Sequence, residues 1–150
     1  MTRTRKLERK RFDETVDIVR LRFPTLHLAI DHDDPHVDAR LEIPRQPGLD
    51  FDVSINLQNL DELHINAGAL WVEWFPCGDQ QVFNQFIEAT TGLLSGSHRI
   101  VEYHGAGAPA KAELQRPTGS GRQKIAVWSN LRTLLPFRRM PHVLQNKHAA

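Results

Sequence analysis

The stretch LDFDVSINL, residues 49–57, alternates strictly between apolar and polar side chains. Successive side chains of a strand point to opposite faces, so this alternation predicts a strand with one buried face and one face toward water. A sheet that is covered on one side in this way is usually antiparallel, whereas a buried parallel strand is apolar throughout. The stretch therefore predicts that the fold is built on an antiparallel sheet.

A second β-rich segment, LHINAGALWVEWF at residues 63–75, follows closely and carries Gly68 near its centre. We interpret it as one long strand that is bent or bulged at Gly68, because a glycine inside a strand often marks such a distortion. A hairpin that turns at residues 66–68 is the alternative. Trp71 and Trp74 have opposite parity in the segment, so at most one of them faces a given core.

A helix is predicted after this segment. Asp79 is a suitable N-cap, since its carboxylate can accept hydrogen bonds from the free N–H groups at a helix start. Apolar residues then recur at helical spacing, at Val82, Phe83, Phe86, Ile87, Leu93 and Leu94. Gly92 or Gly96 would end the helix, which we expect to cover the apolar face of the sheet.

The remaining patterns complete the predicted fold. Apolar residues at helical spacing, Phe12, Val16, Val19 and Phe23, predict an N-terminal helix that ends before Pro24. Further strand patterns occur at residues 26–30, 37–43, 98–104, 111–115 and 123–129. We predict one α+β domain, residues 1–150, with a curved, mainly antiparallel sheet of about six or seven strands. It has two principal helices, in the order α-β-β-β-β-α-β-β-β, and loose basic termini at residues 1–10 and 140–150.

Residues 37–43 and 49–57 are predicted to form a hairpin through the connection 44–48, with Leu41 opposite Phe51. This register places four carboxylates on the wet face: Asp38, Glu42, Asp50 and Asp52. They predict a surface that binds a basic partner, a weak cation site or, as the simpler interpretation, an ordinary solvated sheet face. An exposed tryptophan marks an interaction site, and Trp71 and Trp74 are the two candidates for partner binding.

The segment DHDDPH, residues 31–36, contains side chains of the kinds that bind metal ions. Imidazole and carboxylate donors suit zinc and other transition metals, which makes His32, Asp34 and His36 candidate ligands. The alternative is a polar turn, because aspartate and proline readily form turns. With a metal bound, this segment would serve a metal-dependent hydrolase.

The charge distribution is uneven, although the net charge is +1. Residues 1–12 hold six Lys/Arg and one acid, residues 13–102 hold five and sixteen, and residues 103–150 hold eight and one. The basic ends predict either partner-docking segments or nucleic-acid binding through phosphate contacts. No aromatic stacking motif accompanies them in the sequence, which disfavours nucleic acid.

The leading functional hypothesis is a non-enzymatic cytoplasmic protein that binds a protein partner or a second copy of itself as a homodimer. The single cysteine, Cys77, excludes an internal disulfide and suits a reducing compartment. No apolar run reaches the roughly 18 residues that a membrane-spanning helix needs. No motif predicts a catalytic residue or a cofactor. The metal-dependent hydrolase and the nucleic-acid binder are the alternatives.

Overall fold

The computed structural model describes residues 3–136 and 138–147, and for residues 3–8 it describes the backbone alone. Helix α1 spans Arg3–Arg22, and five strands follow: β1 Ala29–Asp31, β2 Ala39–Ile43, β3 Val53–Gln58, β4 Glu62–Ala67 and β5 Leu70–Trp74. Helix α2 spans Gln80–Ser95, and it precedes β6 Arg99–Gly105, β7 Ala108–Thr118, β8 Gly121–Ser129, a 3-10 turn Leu131–Leu134 and β9 Met140–Leu144. The predicted α+β class is confirmed.

The strands form two antiparallel sheets instead of the one curved sheet that was predicted. The first sheet has the strand order β1-β2-β3-β4-β5, and the second has the order β8-β7-β6-β9. The strand total exceeds the predicted six or seven because residues 63–75 supply two strands and residues 140–144 supply one more. Both sheets contribute side chains to one hydrophobic core.

Both helices pack on the first sheet, α1 against β2 and β3, and α2 against β5. The α1 residues that were predicted to face the core are buried: Phe12, Val16, Val19 and Phe23. The N-cap prediction is confirmed, since Oδ1 of Asp79 accepts a hydrogen bond from the Val82 N–H at 3.0 Å. Gly96, one of the two predicted helix ends, is the C-cap of α2. Within the described residues, neither helix combines the length and the apolarity that a membrane crossing requires.

Residues 63–75 form a hairpin, so the prediction of a single bent strand was wrong. The alternative of a hairpin is correct, although its turn lies at residues 68–69 instead of 66–68. β4 and β5 pair in antiparallel register, with Gly68 and Ala69 as a two-residue turn. Gly68 has a φ of +55°, which glycine adopts at little cost. A Cβ atom there would also lie 2.5 Å from Oε2 of Glu102, a residue of β6. Apolar and polar residues alternate with the same two-residue period in both arms, so the sequence pattern alone resembles one continuous strand.

The β2–β3 hairpin has a longer connection than predicted, and its register differs by four residues. Leu41 lies opposite Ile55 instead of Phe51. Residues 44–52 form a separate turn, which an isolated bridge between Gln46 and Leu49 closes. A shift of four residues preserves the set of side chains that faces the core, because the side-chain period of a strand is two.

Two segments that were predicted to be loose form regular structure. The backbone of residues 3–10 belongs to α1, since neither proline nor glycine interrupts this helix-favouring stretch. Residues 140–144 form β9, which pairs with β6 at the edge of the second sheet. Beyond β9, the buried Asn146 side chain accepts from the Asp50 N–H at 2.8 Å and donates to the Leu93 carbonyl at 2.9 Å. Residues 1–2 and 148–150 lie outside the described residues.

Candidate functional site around His64

The outer face of the first sheet, on the side away from its apolar core, carries polar side chains in rows that the strand register fixes. The first row consists of Arg40, Asn56, His64 and Glu73, on β2 to β5 in turn. The second row consists of Glu42, Ser54, Asn66 and Trp71, on the same four strands. His64 lies within the first row and is 3% exposed.

The ladder geometry places three polar partners around the His64 ring. Glu73 is directly opposite on β5, Trp71 is the diagonal neighbour, and Glu62 is two residues earlier on β4. Nε2 lies 3.1 Å from Oε2 of Glu62 and 3.9 Å from Oε2 of Glu73. On the other side of the ring, Nε1 of Trp71 donates to Nδ1 at 2.9 Å. Both ring nitrogens therefore face a polar partner.

The tryptophan partner fixes the tautomer of His64. An indole N–H can only donate a hydrogen bond, so Nδ1 must be the acceptor. The ring proton of the neutral histidine is consequently on Nε2, from which it points to the Glu62 carboxylate. The two rings lie 25° from parallel with their centroids 5.7 Å apart, as a bond near the ring planes requires. Trp71 is thereby held in one orientation.

Hydrogen bonds from neighbouring side chains stabilise the ionised form of the Glu62 carboxylate. Asn59 donates its side-chain amide to Oε2 of Glu62 at 3.0 Å. This hydrogen bond, together with the one from His64, holds the pKa of Glu62 below its ordinary value. Glu62 is therefore ionised at neutral pH and presents an anionic oxygen to Nε2 of His64.

Three side chains of this cluster converge as a metal site requires. Within the described part of the chain, Glu62, His64 and Glu73 are the one group of three histidine, cysteine or carboxylate side chains whose ligand atoms lie within 4.8 Å of one another. Glu73 is 59% exposed, so the group opens to solvent on that side. We call Glu62, His64, Trp71 and Glu73 the His64 cluster.

The His64 cluster borders an open cleft of about 320 Å³ between β5 of the first sheet and β8 of the second. Trp71, Glu73 and Val127 line the cleft with His64. Trp71 is 51% exposed and Val127 is also exposed, so the cleft presents apolar surface beside carboxylates. Its chemistry suits an apolar or cationic group.

The four carboxylates that were predicted to form one surface lie on different elements. Glu42 lies on the outer face of β2, whereas Asp38 accepts a backbone hydrogen bond at the β3–β4 turn. Asp50 and Asp52 lie in the 44–52 connection, where Asp52 accepts from a backbone N–H at 2.6 Å. Asp50 and Asp52 lie outside β3 because the connection after β2 is longer than predicted.

The two tryptophans on β5 face opposite sides, as their parity predicted. Trp74 points toward the core and packs against the edge of Phe86, with ring centroids 5.5 Å apart. Trp71 points outward into the His64 cluster. Of the two tryptophans predicted for partner binding, Trp71 is the one on an open surface.

The structure does not bring His32, Asp34 and His36 together as metal ligands. Asp34 accepts the N–H of His36 at 2.7 Å and pairs with Arg40 at 3.1 Å. The bond from His36 and the charge of Arg40 hold the pKa of Asp34 below its ordinary value. His32 packs against Phe12 with the ring centroids 6.0 Å apart. Asp31 ends β1, and the residues that follow form bends in which Asp31 and Asp34 accept backbone N–H groups two residues ahead.

Part of the basic N-terminal segment is committed to internal contacts. Arg11 lies over the Phe83 ring at 4.5 Å and pairs with Glu14 at 3.1 Å. Its side chain is 13% exposed, so it joins α1 to α2 instead of facing a phosphate backbone. Lys10 also pairs with Glu14, at 3.9 Å.

A second buried histidine, His98, lies just beyond α2 in a different setting. Its ring packs against the backbone of Gly92, where a Cβ atom would lie 2.1 Å from Nδ1. Nδ1 is 3.0 Å from the hydroxyl of Ser97, whereas Nε2 is buried without a hydrogen-bond partner among the described residues. Burial lowers the pKa of His98, and Glu88, 3.8 Å from Nε2, offsets part of this effect.

Sequence reasoning did not select Glu62, His64 or Glu73. His64 and Glu73 occupy polar positions in residues 63–75, a segment that was interpreted by its apolar residues as one strand, and Glu62 directly precedes that segment. Had the hairpin alternative been taken with its turn at Gly68 and Ala69, His64 would have fallen opposite Glu73. The alternation therefore places His64 and Glu73 on the same face of the sheet, but their pairing follows only when the position of the turn is known.

No family model matches this sequence, and neither a curated protein nor a solved structure matches it. Its function is therefore inferred from the arrangement of its own side chains.

Proposed function

We propose that this protein is a non-enzymatic binding protein that captures a basic, extended polypeptide segment in the cleft between β5 and β8. The observation that carries the proposal is Trp71, which is half exposed and yet held in one orientation by its hydrogen bond to His64. Tryptophan dominates many protein interfaces, because one side chain covers a large area. An exposed tryptophan that is already ordered is suited to that role.

The hydrogen bond to His64 favours binding by reducing its entropic cost. Immobilising a flexible side chain on binding costs about 0.5–1.5 kcal/mol in conformational entropy. Trp71 has already lost much of this freedom in the unbound protein, since its indole N–H is bonded to a buried ring. The exposed Val127 across the cleft adds apolar surface beside it.

The charges around the cleft favour a basic partner. Glu73 is largely exposed beside Trp71, and Glu62 is ionised. A lysine or arginine between them gains a carboxylate and an aromatic face, which attracts cations. The cleft lies beside two edge strands, β5 and β8, and such a position suits an extended segment better than a helix.

The test is a selection of random peptides displayed on phage against the wild-type protein, followed by affinity measurements on the selected peptides. We expect peptides that combine lysine or arginine with apolar residues. Trp71→Ala should weaken them about 30-fold, the factor that corresponds to a hot-spot residue. Glu73→Lys should weaken them as well, because it reverses a charge in the cleft.

Leu21→Ala is the matched control, since Leu21 is an exposed apolar residue on α1 that does not line the cleft. It should leave the affinities unchanged. Selected peptides that bind Trp71→Ala as tightly as wild type, or that are acidic, would contradict the proposal. A dimer in sedimentation that Trp71→Ala dissociates would replace the peptide with a second copy of the chain.

A further inference from the structure

We propose that Glu62, His64 and Glu73 bind a divalent transition metal ion, and that the bound metal releases Trp71 from His64. This inference goes beyond the binding of a polypeptide, because it concerns the protein alone. It rests on the distances among the three ligand atoms and on the hydrogen bond that holds Nδ1 of His64.

Each carboxylate has an oxygen close enough to Nε2 of His64 to share one ion with it. Two ligands at about 2.1 Å from a metal lie at most about 4.2 Å apart. Nε2 of His64 is 3.1 Å from Oε2 of Glu62 and 3.9 Å from Oε2 of Glu73, so both distances satisfy this limit. Glu73 lies mostly in solvent and can complete the approach by rotating its side chain.

The donor set defines the class of metal. One imidazole nitrogen and two carboxylate oxygens suit Zn²⁺, Mn²⁺, Fe²⁺ or Co²⁺, whereas Cu(I) prefers sulfur ligands. The carboxylate of Glu62 supplies one oxygen ligand, which a hydrogen bond of 3.0 Å from Asn59 also positions. Three protein ligands leave further coordination positions for water or for a group of a partner.

Metal binding and the Trp71 hydrogen bond compete through the tautomer of His64. A metal on Nε2 takes the place of the proton there, and the neutral ring then carries its proton on Nδ1. An Nδ1–H group cannot accept from the indole N–H, so Trp71 must leave its present position. The ring remains neutral, because it loses one proton at Nε2 and gains one at Nδ1.

The experiment titrates the untagged protein with Zn²⁺ and, separately, with Co²⁺ by calorimetry and by tryptophan fluorescence. We expect one ion per chain, together with a change in fluorescence that is absent in Trp71→Phe. His64→Gln should lower the affinity by at least about 100-fold, since removing even an outer partner of a ligand costs 10–100-fold. Glu73→Gln tests the same site with a largely exposed residue, in case His64→Gln does not fold.

Trp71→Phe is the decisive variant, because it removes the competing N–H but keeps an aromatic ring. It should bind the metal about fivefold more tightly than wild type, the factor that a hydrogen bond of ordinary net strength represents. His32→Gln and Glu42→Gln are controls outside the site and should leave the affinity unchanged.

The proposal is overturned if the wild type binds no stoichiometric ion, if Glu73→Gln binds as tightly as wild type, or if Trp71→Phe binds more weakly. Because no partner is present in the titration, any of these results leaves the proposal of polypeptide binding standing. Equally, a failed peptide selection has no bearing on the metal.

Discussion

The two buried histidines of this protein differ in what surrounds them. His64 is 3% exposed and His98 is 6% exposed, so burial alone does not distinguish them. Both nitrogens of His64 face polar partners, and two carboxylates lie within 4 Å of Nε2. His98 packs on a glycine of α2, and its Nε2 has no hydrogen bond to any residue that the structure describes.

The comparison teaches that the arrangement of partners, more than burial, indicates a binding site. A buried nitrogen without a hydrogen bond reduces stability. At His98 this loss is opposed by the Ser97 hydroxyl near Nδ1, by Glu88 at 3.8 Å from Nε2 and by close packing on α2. The partners of His64, in contrast, leave a carboxylate and an aromatic ring open to solvent. We therefore expect changes at His98 to affect folding and changes in the His64 cluster to affect binding.

The largest expected effect is at the contact between His98 and α2. Gly92→Ala should lower the free energy of unfolding by about 2–3 kcal/mol, because overpacking of this kind displaces a buried ring. A Cβ atom on Gly92 would lie 2.1 Å from Nδ1 of His98. Urea denaturation would measure the loss.

Gly119→Ala is the matched control, since a Cβ atom at Gly119 meets no atom within 4 Å. It should change the stability by less than about 0.5 kcal/mol. In a His98→Ala background, Gly92→Ala should lower the free energy of unfolding by much less, because the imidazole ring is absent. An equal cost in both backgrounds would show that the ring contact is not the cause.

A smaller effect is expected in the His64 cluster. Trp71→Phe should lower the free energy of unfolding by about 1 kcal/mol, since it leaves Nδ1 of the buried His64 without its donor. Thermal and urea denaturation would measure this change. In a His64→Leu background the same substitution should have almost no effect, and a persistent loss there would assign the cost to packing instead of to the hydrogen bond.

The smallest expected effect is a pH dependence that originates at His98. Burial lowers its pKa below the ordinary value of about 6.5, and Arg116 and Arg122 also lower it, whereas Glu88 opposes them. Below about pH 6.5 the unfolded chain therefore binds more protons than the folded protein. This contribution to stability is complete above that pH and declines as the pH falls toward the pKa of the folded protein.

The measurement for His98 is the free energy of unfolding between about pH 7.5 and pH 5. The wild type should lose stability across this range, and His98→Gln should lose less, because glutamine does not titrate. Identical slopes for the two proteins would remove His98 as the source of the pH dependence.

Much of the fold was predictable from the sequence because local patterns determine it. The helix α2 follows from Asp79 and its apolar stripe, and the parity of Trp71 and Trp74 follows from the two-residue period. The register of β2 on β3 was not predictable in the same way. It depends on how residues 44–52 fold, which involves the distant side chain of Asn146.

The candidate site was less predictable than the fold. The three side chains that we propose as metal ligands lie on two strands, and they converge only once the turn at Gly68 sets the register. By contrast, the segment 31–36 has histidine and carboxylate side chains in near succession, but Asp31 and Asp34 bond to nearby backbone, and Asp34 also pairs with Arg40. Proximity in the sequence was therefore a poor indicator of convergence in space.

The contacts of Asn146 have a consequence for how the protein is made. This side chain bonds to Asp50 across 96 residues and to Leu93 across 53. During synthesis, the 44–52 connection and the end of α2 are complete long before their partner has been added. These two segments acquire their final hydrogen bonds only after residue 146 leaves the ribosome. Final consolidation of the native structure must therefore follow translation of nearly all of this sequence.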